Sequence, residues 1–224
     1  MKQLALDIGL ASVPTLDNFY AGANEAVLQH LRLWLTVPRS PVPCYLWGDS
    51  GSGKTHLLKG LQTRLLELGA NMGWMDANTM EPPAFDTRWQ AVVLEDVTWY
   101  NAAQQQAAFN WFVNAHTHQI AVFSSGTVPP ADLQLREDLR TRLGWGHVFQ
   151  LHHLSESERQ QVLQEAAQAR GLSLSPEVVD FMLNRFSRDL SSLMQLLDAL
   201  DAFALQTQRT VTIPLIKTML AADD

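Results

Sequence analysis

Apolar and polar residues fall into blocks along this chain, and the period of the blocks changes twice. Residues 1–14 have no helical period; Gln3-Leu4-Ala5-Leu6-Asp7-Ile8 instead sets Leu4, Leu6 and Ile8 at every second position. A helical pattern covers 24–35 and is closed by Pro38 and the Pro41/Pro43 pair. Short apolar runs then alternate with helical stretches. The runs at 44–47, 71–75, 91–94, 120–123 and 148–151 predict five strands. A helix is expected from 54 to about 68, and another where Ala108, Trp111, Phe112 and Ala115 recur at i, i+3, i+4 and i+7. Strands separated by helices predict an α/β fold with a five-stranded parallel sheet flanked by helices.

Beyond Leu151 the strand signals stop. Ser155-Glu156-Ser157-Glu158 has the spacing of a capping box, and Gly171 can close the helix that it opens. Ser175-Pro176-Glu177 starts a second helix with proline at its first position. Leu190, Leu193, Met194, Leu197 and Leu200 form the stripe of a third, and 213–220 suits a fourth. The predicted organisation is a tail over 1–14, a nucleotide-binding α/β domain over 15–153 and a small all-α domain over 154–224.

Composition narrows the function classes. The chain has 224 residues, with 16 Lys and Arg against 23 Asp and Glu, a formal charge of −7. The acidic balance disfavours a protein whose main task is gripping phosphate backbone. Cys44 is the single cysteine, which leaves neither a disulfide framework nor a cysteine zinc site. The start is too short in apolar residues for a signal peptide, and no run approaches the length of a membrane span. A cytoplasmic protein without membrane contact is expected.

Gly48-Asp49-Ser50-Gly51-Ser52-Gly53-Lys54-Thr55 fits G-x-x-x-x-G-K-[ST] at every fixed position, between a predicted strand and a predicted helix. Glycines there let successive N–H groups turn inward around a phosphate at the positive end of the helix. Lys54 is placed to reach the β- and γ-phosphates and Thr55 to ligate Mg²⁺. Glu95 and Asp96 end the clearest apolar run, where one carboxylate can hold Mg²⁺ and the next can polarise a water. Two solvated acids would leave the same trace. Ser124-Ser125-Gly126-Thr127 ends the next strand, where a polar group can sense the γ-phosphate. Arg140 and Arg142 close a helical stretch before the last strand, either as solvated charges or facing a neighbour's nucleotide. Arg188 either reaches phosphates or pairs with Asp189. The alternating tail suits docking in a partner's groove or addition to this chain's own sheet. The histidines lack metal-ligand spacing, and the seven tryptophans read as core residues.

Taken in order, these segments resemble the AAA+ ATPases, and within them the ATPase core of the replication initiator DnaA. Thr15-Leu16-Asp17-Asn18-Phe19-Tyr20, with Gly22 and Asn24, resembles the initiator segment that borders the adenine; the resemblance places Phe19 and Tyr20 beside the base. Gly53-Lys54-Thr55-His56-Leu57-Leu58 matches the P-loop helix and adds His56 to the nucleotide site. Arg140-Thr141-Arg142-Leu143-Gly144-Trp145-Gly146 resembles the box that carries the arginine finger, on Arg142. Arg188-Asp189-Leu190 resembles the lid's sensor 2 segment, on Arg188, and Thr127 stands where these relatives carry the sensor 1 Asp.

The tail resembles the peptide that docks on the replicative sliding clamp, through Gln3, Leu4, Leu6 and Ile8. An initiator-like core with that peptide and no helix-turn-helix domain resembles the Hda family, the regulatory inactivators of DnaA. The resemblance implies an ATP- or ADP-binding, Mg²⁺-dependent negative regulator of replication initiation. Its partners would be DnaA and the sliding clamp, with DNA met mainly through the clamp and a second copy of the chain as a further candidate. Arg142 would act in trans on the initiator's ATP, with weak or no turnover on the chain's own nucleotide. A self-sufficient ATPase and a helicase-loader-like adaptor are the alternatives at this point.

Overall fold

The computed structural model describes residues 13–36, 40–186 and 190–222. They divide into two compact units, Pro14–His153 and the residues from Leu154 onward. In the first unit, five parallel strands form one sheet: β1 (Cys44–Trp47), β2 (Met72–Met75), β3 (Ala91–Leu94), β4 (Ala121–Gly126) and β5 (His147–Gln150), in the order β2-β3-β4-β1-β5. The helices of this unit are α1 (Glu25–Trp34), α2 (Lys54–Glu67), α3 (Ala102–Thr117) and the short α4 (Glu137–Leu143). The parallel sheet and flanking helices are those that the blocks predict.

Alternation along the strands feeds two cores. Cys44, Leu46, Ala91, Val93, Ala121 and Phe123 pack with the apolar stripes of α1 and α2. Tyr45, Val92, Leu94 and Val122 pack on the other face with Ala108, Trp111, Phe112 and Ala115 of α3 and with Leu139 and Leu143 of α4. Strands buried on both faces need apolar residues throughout, which is why β1, β3 and β4 are legible as unbroken runs. β5 is the exception: His147, Val148 and Gln150 are exposed because it forms the sheet's edge. It begins one residue earlier than its apolar run and ends before Leu151. Cys44 is wholly interior, and burial pushes its thiol up to about 12.

The second unit is helical: α5 (Glu156–Ala169), α6 (Pro176–Arg185), α7 (Leu190–Thr207) and α8 (Ile213–Ala222). Ser155 and Glu158 form the expected capping box, with the Glu158 N–H donating to Ser155 Oγ and the Ser155 N–H to Glu158 Oε2. Leu163, Val179, Met182, Leu197, Leu200 and Ile216 make this unit's core. Arg170 crosses from α5 to Asp198 on α7 at 2.7 Å and also donates to the Ala166 carbonyl. Among the described residues no helix is long and apolar enough to cross a membrane.

Two tryptophans depart from the core expectation. Trp99 is 68% exposed and Trp145 55%. Trp99 ends the single turn Val97–Trp99 that follows the β3 acids, and Trp145 follows α4, where its ring faces Arg142 rather than the sheet.

The contact of α1 with β5 brings two imidazole rings together. The His30 and His147 rings lie 4.4 Å apart between centroids, and the Phe149 ring is 5.0 Å from His30. Burial, and next the His147 ring, hold the pKa of His30 below the ordinary imidazole value of 6.5. The unfolded chain therefore takes up this proton first. The stability linked to His30 is present above about pH 6.5 and lost as pH falls through its lower folded value. Urea midpoints should fall between about pH 7 and about pH 5, and His30→Gln should flatten part of that slope; identical slopes in variant and wild type would assign the loss to other groups.

Candidate functional site

The loop from Gly48 to Gly53 joins β1 to α2 at the carboxyl end of the sheet. Gly53 has φ +100°, and a Cβ there would lie 2.7 Å from the Phe19 ring, so the position demands glycine twice over. The Ser52 N–H donates to the Asp49 carbonyl at 3.2 Å, closing the turn that contains Ser50 and Gly51. Ser52 Oγ is buried with no hydrogen-bond partner among the described residues. An orphaned hydroxyl of this kind fits a loop shaped for an anion's oxygens. Asp49 reaches His153 at 3.9 Å, while its backbone carbonyl serves Lys54.

Lys54 opens α2 and is buried, with Nζ donating to the Gly48 carbonyl at 2.7 Å and the Asp49 carbonyl at 2.8 Å. Burial lowers its pKa, opposed by the charges of Asp96, Asp49 and Glu95. Thr55 Oγ1 donates to Glu95 Oε1, which brings together two of the three expected metal ligands. Glu95 is buried; withdrawal from water raises its pKa, the Thr55 hydroxyl lowers it and Asp96 raises it again. Hydroxyl and carboxylate oxygens at one point suit a hard cation such as Mg²⁺. Asp96 follows at φ +51°, and its N–H donates to Ser125 Oγ at 3.0 Å.

Two expected site residues have other neighbours. Thr127 lies just past β4, where its N–H donates to Thr98 Oγ1 at 2.9 Å and its hydroxyl meets the same oxygen at 3.3 Å. Of the polar residues ending β4, Ser125 is the one joined to the acids. His56 Nε2 lies 3.0 Å from the Thr15 carbonyl and 2.8 Å from Asn18 Oδ1, and burial lowers its pKa. Phe19 covers Gly53, and Tyr20 follows at the surface. Asn24 is buried and grips His152 twice, donating from Nδ2 to its carbonyl at 2.9 Å and accepting its N–H at 2.8 Å. Gln3, Leu4, Leu6 and Ile8, and Arg188, lie outside the described residues.

Arg142 sits in the last turn of α4 over two rings: its guanidinium carbon is 4.7 Å from the Trp145 centroid and 5.0 Å from that of Phe109. No ion pair engages it among the described residues. Arg136 behaves differently; it shares the Phe109 ring at 5.5 Å but binds Asp138 at 2.7 Å and Gln106 Oε1. Phe109, Arg136, Glu137, Asp138, Thr141, Arg142 and Trp145 line one open hollow. Phe109, on α3, carries no local signal that would join it to an arginine far along the chain. Thr98 is likewise visible only in three dimensions.

A family model described as "Hda, lid domain" matches residues 156–220. A Haemophilus influenzae chain described as an uncharacterized protein is 34% identical over 230 residues, spanning 98% of this chain and 98% of its own. Domain III of the replication initiation protein DnaA from Thermotoga maritima is similar in structure, with a TM-score of 0.75 at 18% identity, covering 94% of this chain and 97% of that one. AMPPCP-bound DnaA from Aquifex aeolicus gives 0.69 at 18% identity over 87% of this chain and 67% of that one. The Thermotoga maritima RuvB Holliday junction branch migration motor gives 0.66 at 15% identity, over 93% and 72%. At these identities the solved structures share the fold.

The bond between Ser125 and Asp96 can be tested without any ligand. Ser125→Ala removes the acceptor for the Asp96 N–H inside the sheet's carboxyl end and should cost about 1–3 kcal/mol of stability. Urea denaturation reads this directly; an unchanged midpoint would mean that the N–H finds another acceptor.

Proposed function

The chain belongs to the Hda family of DnaA-related AAA+ proteins, and on that premise we propose that it is a nucleotide-bound negative regulator of replication initiation that acts in trans on the initiator DnaA. The observation that carries this reading is the state of Arg142. Its guanidinium is held by two aromatic faces and, among the described residues, no ion pair engages it, so its positive charge is positioned there without a carboxylate partner. Cation–π contacts orient such a group for about 0.5–1 kcal/mol each at exposed sites and leave its N–H groups available. A guanidinium presented in this way suits the charge that develops on another protein's γ-phosphate.

The chain's own nucleotide, ATP or ADP, would be held by Gly48, Asp49, Ser50, Gly51, Ser52 and Gly53, with Lys54 as the phosphate cation and Phe19 and Tyr20 beside the base. Thr55, Glu95 and Asp96 would hold Mg²⁺, which supplies charge neutralisation between phosphate oxygens when bound. The orphaned Ser52 hydroxyl and the Thr55–Glu95 pair support this assignment. The resemblance would add Thr127 and Arg188 as residues that sense the phosphates. The tail, through Gln3, Leu4, Leu6 and Ile8, would tether the protein to the sliding clamp and raise its effective concentration near the initiator.

Single-turnover hydrolysis of initiator-bound ATP, with clamp-loaded DNA, tests the reading. The protein should accelerate it, and Arg142→Ala should abolish the acceleration, since arginine fingers contribute on the order of 10³–10⁵ in rate. That is about 4–7 kcal/mol of barrier. Nucleotide and clamp binding should survive the substitution; their loss would assign Arg142 to the protein's own fold. Absence of acceleration, with steady ATP turnover by the protein alone, would identify a self-sufficient ATPase, an alternative that the complete Lys54/Thr55 loop keeps open and the Glu95-Asp96 order disfavours.

Tethering has its own test. Replacing Gln3, Leu4 and Leu6 together with Ala should remove clamp binding measured by surface plasmon resonance, because truncation empties the pockets that anchor residues fill. Undiminished affinity would return the tail to a structural part of this chain.

A further inference from the structure

The segment before α1 is fastened to one face of the P-loop helix. His56, Gly60 and Thr63 stand at i, i+4 and i+7 on α2, and each meets the backbone of residues 14–16. Thr63 Oγ1 donates to the Pro14 carbonyl at 3.0 Å. Gly60 lets the chain pass so closely that a Cβ would lie 2.8 Å from the Thr15 carbonyl carbon and 2.9 Å from the Leu16 nitrogen. His56 Nε2 approaches the Thr15 carbonyl and Asn18 Oδ1 together.

The chemistry of these partners fixes the imidazole. A backbone carbonyl only accepts, and Asn18 Oδ1 is identified as oxygen because it also accepts the Thr15 N–H at 2.8 Å. Both neighbours of Nε2 are therefore acceptors, so Nε2 carries the proton and donates to both. Thr15 and Asn18 are themselves locked reciprocally, since the Asn18 N–H donates to Thr15 Oγ1 at 3.1 Å. The result is a closed four-residue turn whose inner edge is held by one N–H of α2. The residue leaving that turn is Phe19, whose ring rests against Gly53 and stands 5.5 Å from the His56 ring between centroids.

We propose that His56 is a positioning residue for nucleoside recognition: its Nε2–H clamps the Thr15–Asn18 turn to the P-loop helix and so sets Phe19 at the mouth of the phosphate loop. Its Nε2–H is committed to the Thr15 carbonyl and Asn18 Oδ1, so its role is to hold the turn and not to bind the ligand itself. The proposal rests on the nucleotide-binding reading above and deepens it. The loop grips phosphates with its own N–H groups and Lys54, which need no clamp. The nucleoside side depends on an aromatic ring borne by a short exposed turn, and such a ring contributes to binding only where the backbone beneath it is fixed.

Two ligands separate the parts. Magnesium ADP engages loop and nucleoside wall, whereas inorganic pyrophosphate engages the loop alone; both are titrated calorimetrically into the full chain. His56→Ala and His56→Phe should weaken ADP by about tenfold, the scale of one lost base–aromatic contact, and leave pyrophosphate unchanged. The Phe variant keeps a ring beside Phe19 but lacks the donor. His56→Gln sets an amide N–H near the position of Nε2 and should restore ADP affinity. Asn18→Ala, at an exposed position, should weaken ADP in the same direction even if a His56 variant fails to fold. Equal loss of both ligands would overturn the proposal and make His56 a support of the helix; so would wild-type ADP affinity in His56→Phe, or a Gln variant no better than Phe. The parent reading is judged by Lys54→Ala, which must abolish binding of both ligands; a chain that binds neither ligand even as wild type overturns both readings.

Discussion

Two charged side chains withdrawn from water govern the carboxyl end of this sheet. Lys54 and Glu95 are both buried, and a buried charge without partners costs more than the fold can spare. Lys54 meets the requirement with two carbonyls of its own loop, and Glu95 with the hydroxyl of Thr55. The loop must therefore curl back over its lysine, α2 must begin where it does, and β3 must end level with the first turn of α2. Gly53 accepts the backbone conformation that this curl requires, and Phe19 occupies the space that its missing side chain leaves. The 48–53 loop is thus held in shape by a lysine and a carboxylate whose chemistry suits an anion and a hard cation.

Arg136 and Arg142 belong to the same short stretch and share one ring, yet they are held differently. Arg136 is tied to Asp138 and Gln106, which neutralises it and fixes the start of α4. Arg142 lies in the last turn of α4, where the rings of Phe109 and Trp145 attend it and no ion pair engages it among the described residues. The contrast separates a structural arginine from a presented one better than exposure does, because rings orient a guanidinium without occupying its N–H groups. Trp145 is exposed for the same reason: its ring serves the arginine and not the core.

The fold was legible wherever one period or one linear motif carried the information. Unbroken apolar runs marked β1, β3 and β4 because both faces of those strands are covered, and the 48–55 motif is contiguous, so its loop and helix could be read directly. The edge strand β5 was legible less accurately, since half of its residues face outward. The site's remaining parts depend on contacts between distant segments. Nothing near Phe109 announces Arg142, nothing in α2 announces that His56 faces the Thr15 turn rather than the loop, and the pairing of Thr127 with Thr98 joins two separate strand ends. Composition suggested seven interior tryptophans, but amphipathic rings also serve at surfaces, as Trp99 and Trp145 show.

Cys44 has a practical consequence. It is the single cysteine, it lies inside the sheet, and its thiol holds its proton far above neutral pH. Since the thiolate is the reacting species, the native chain is close to inert toward maleimides and disulfide exchange. A cysteine introduced in the tail or beside Trp145 would be the sole reactive thiol in the molecule. Spectroscopic labels can therefore be placed one at a time on an otherwise unaltered protein, and the approach of each surface to a partner can be followed separately.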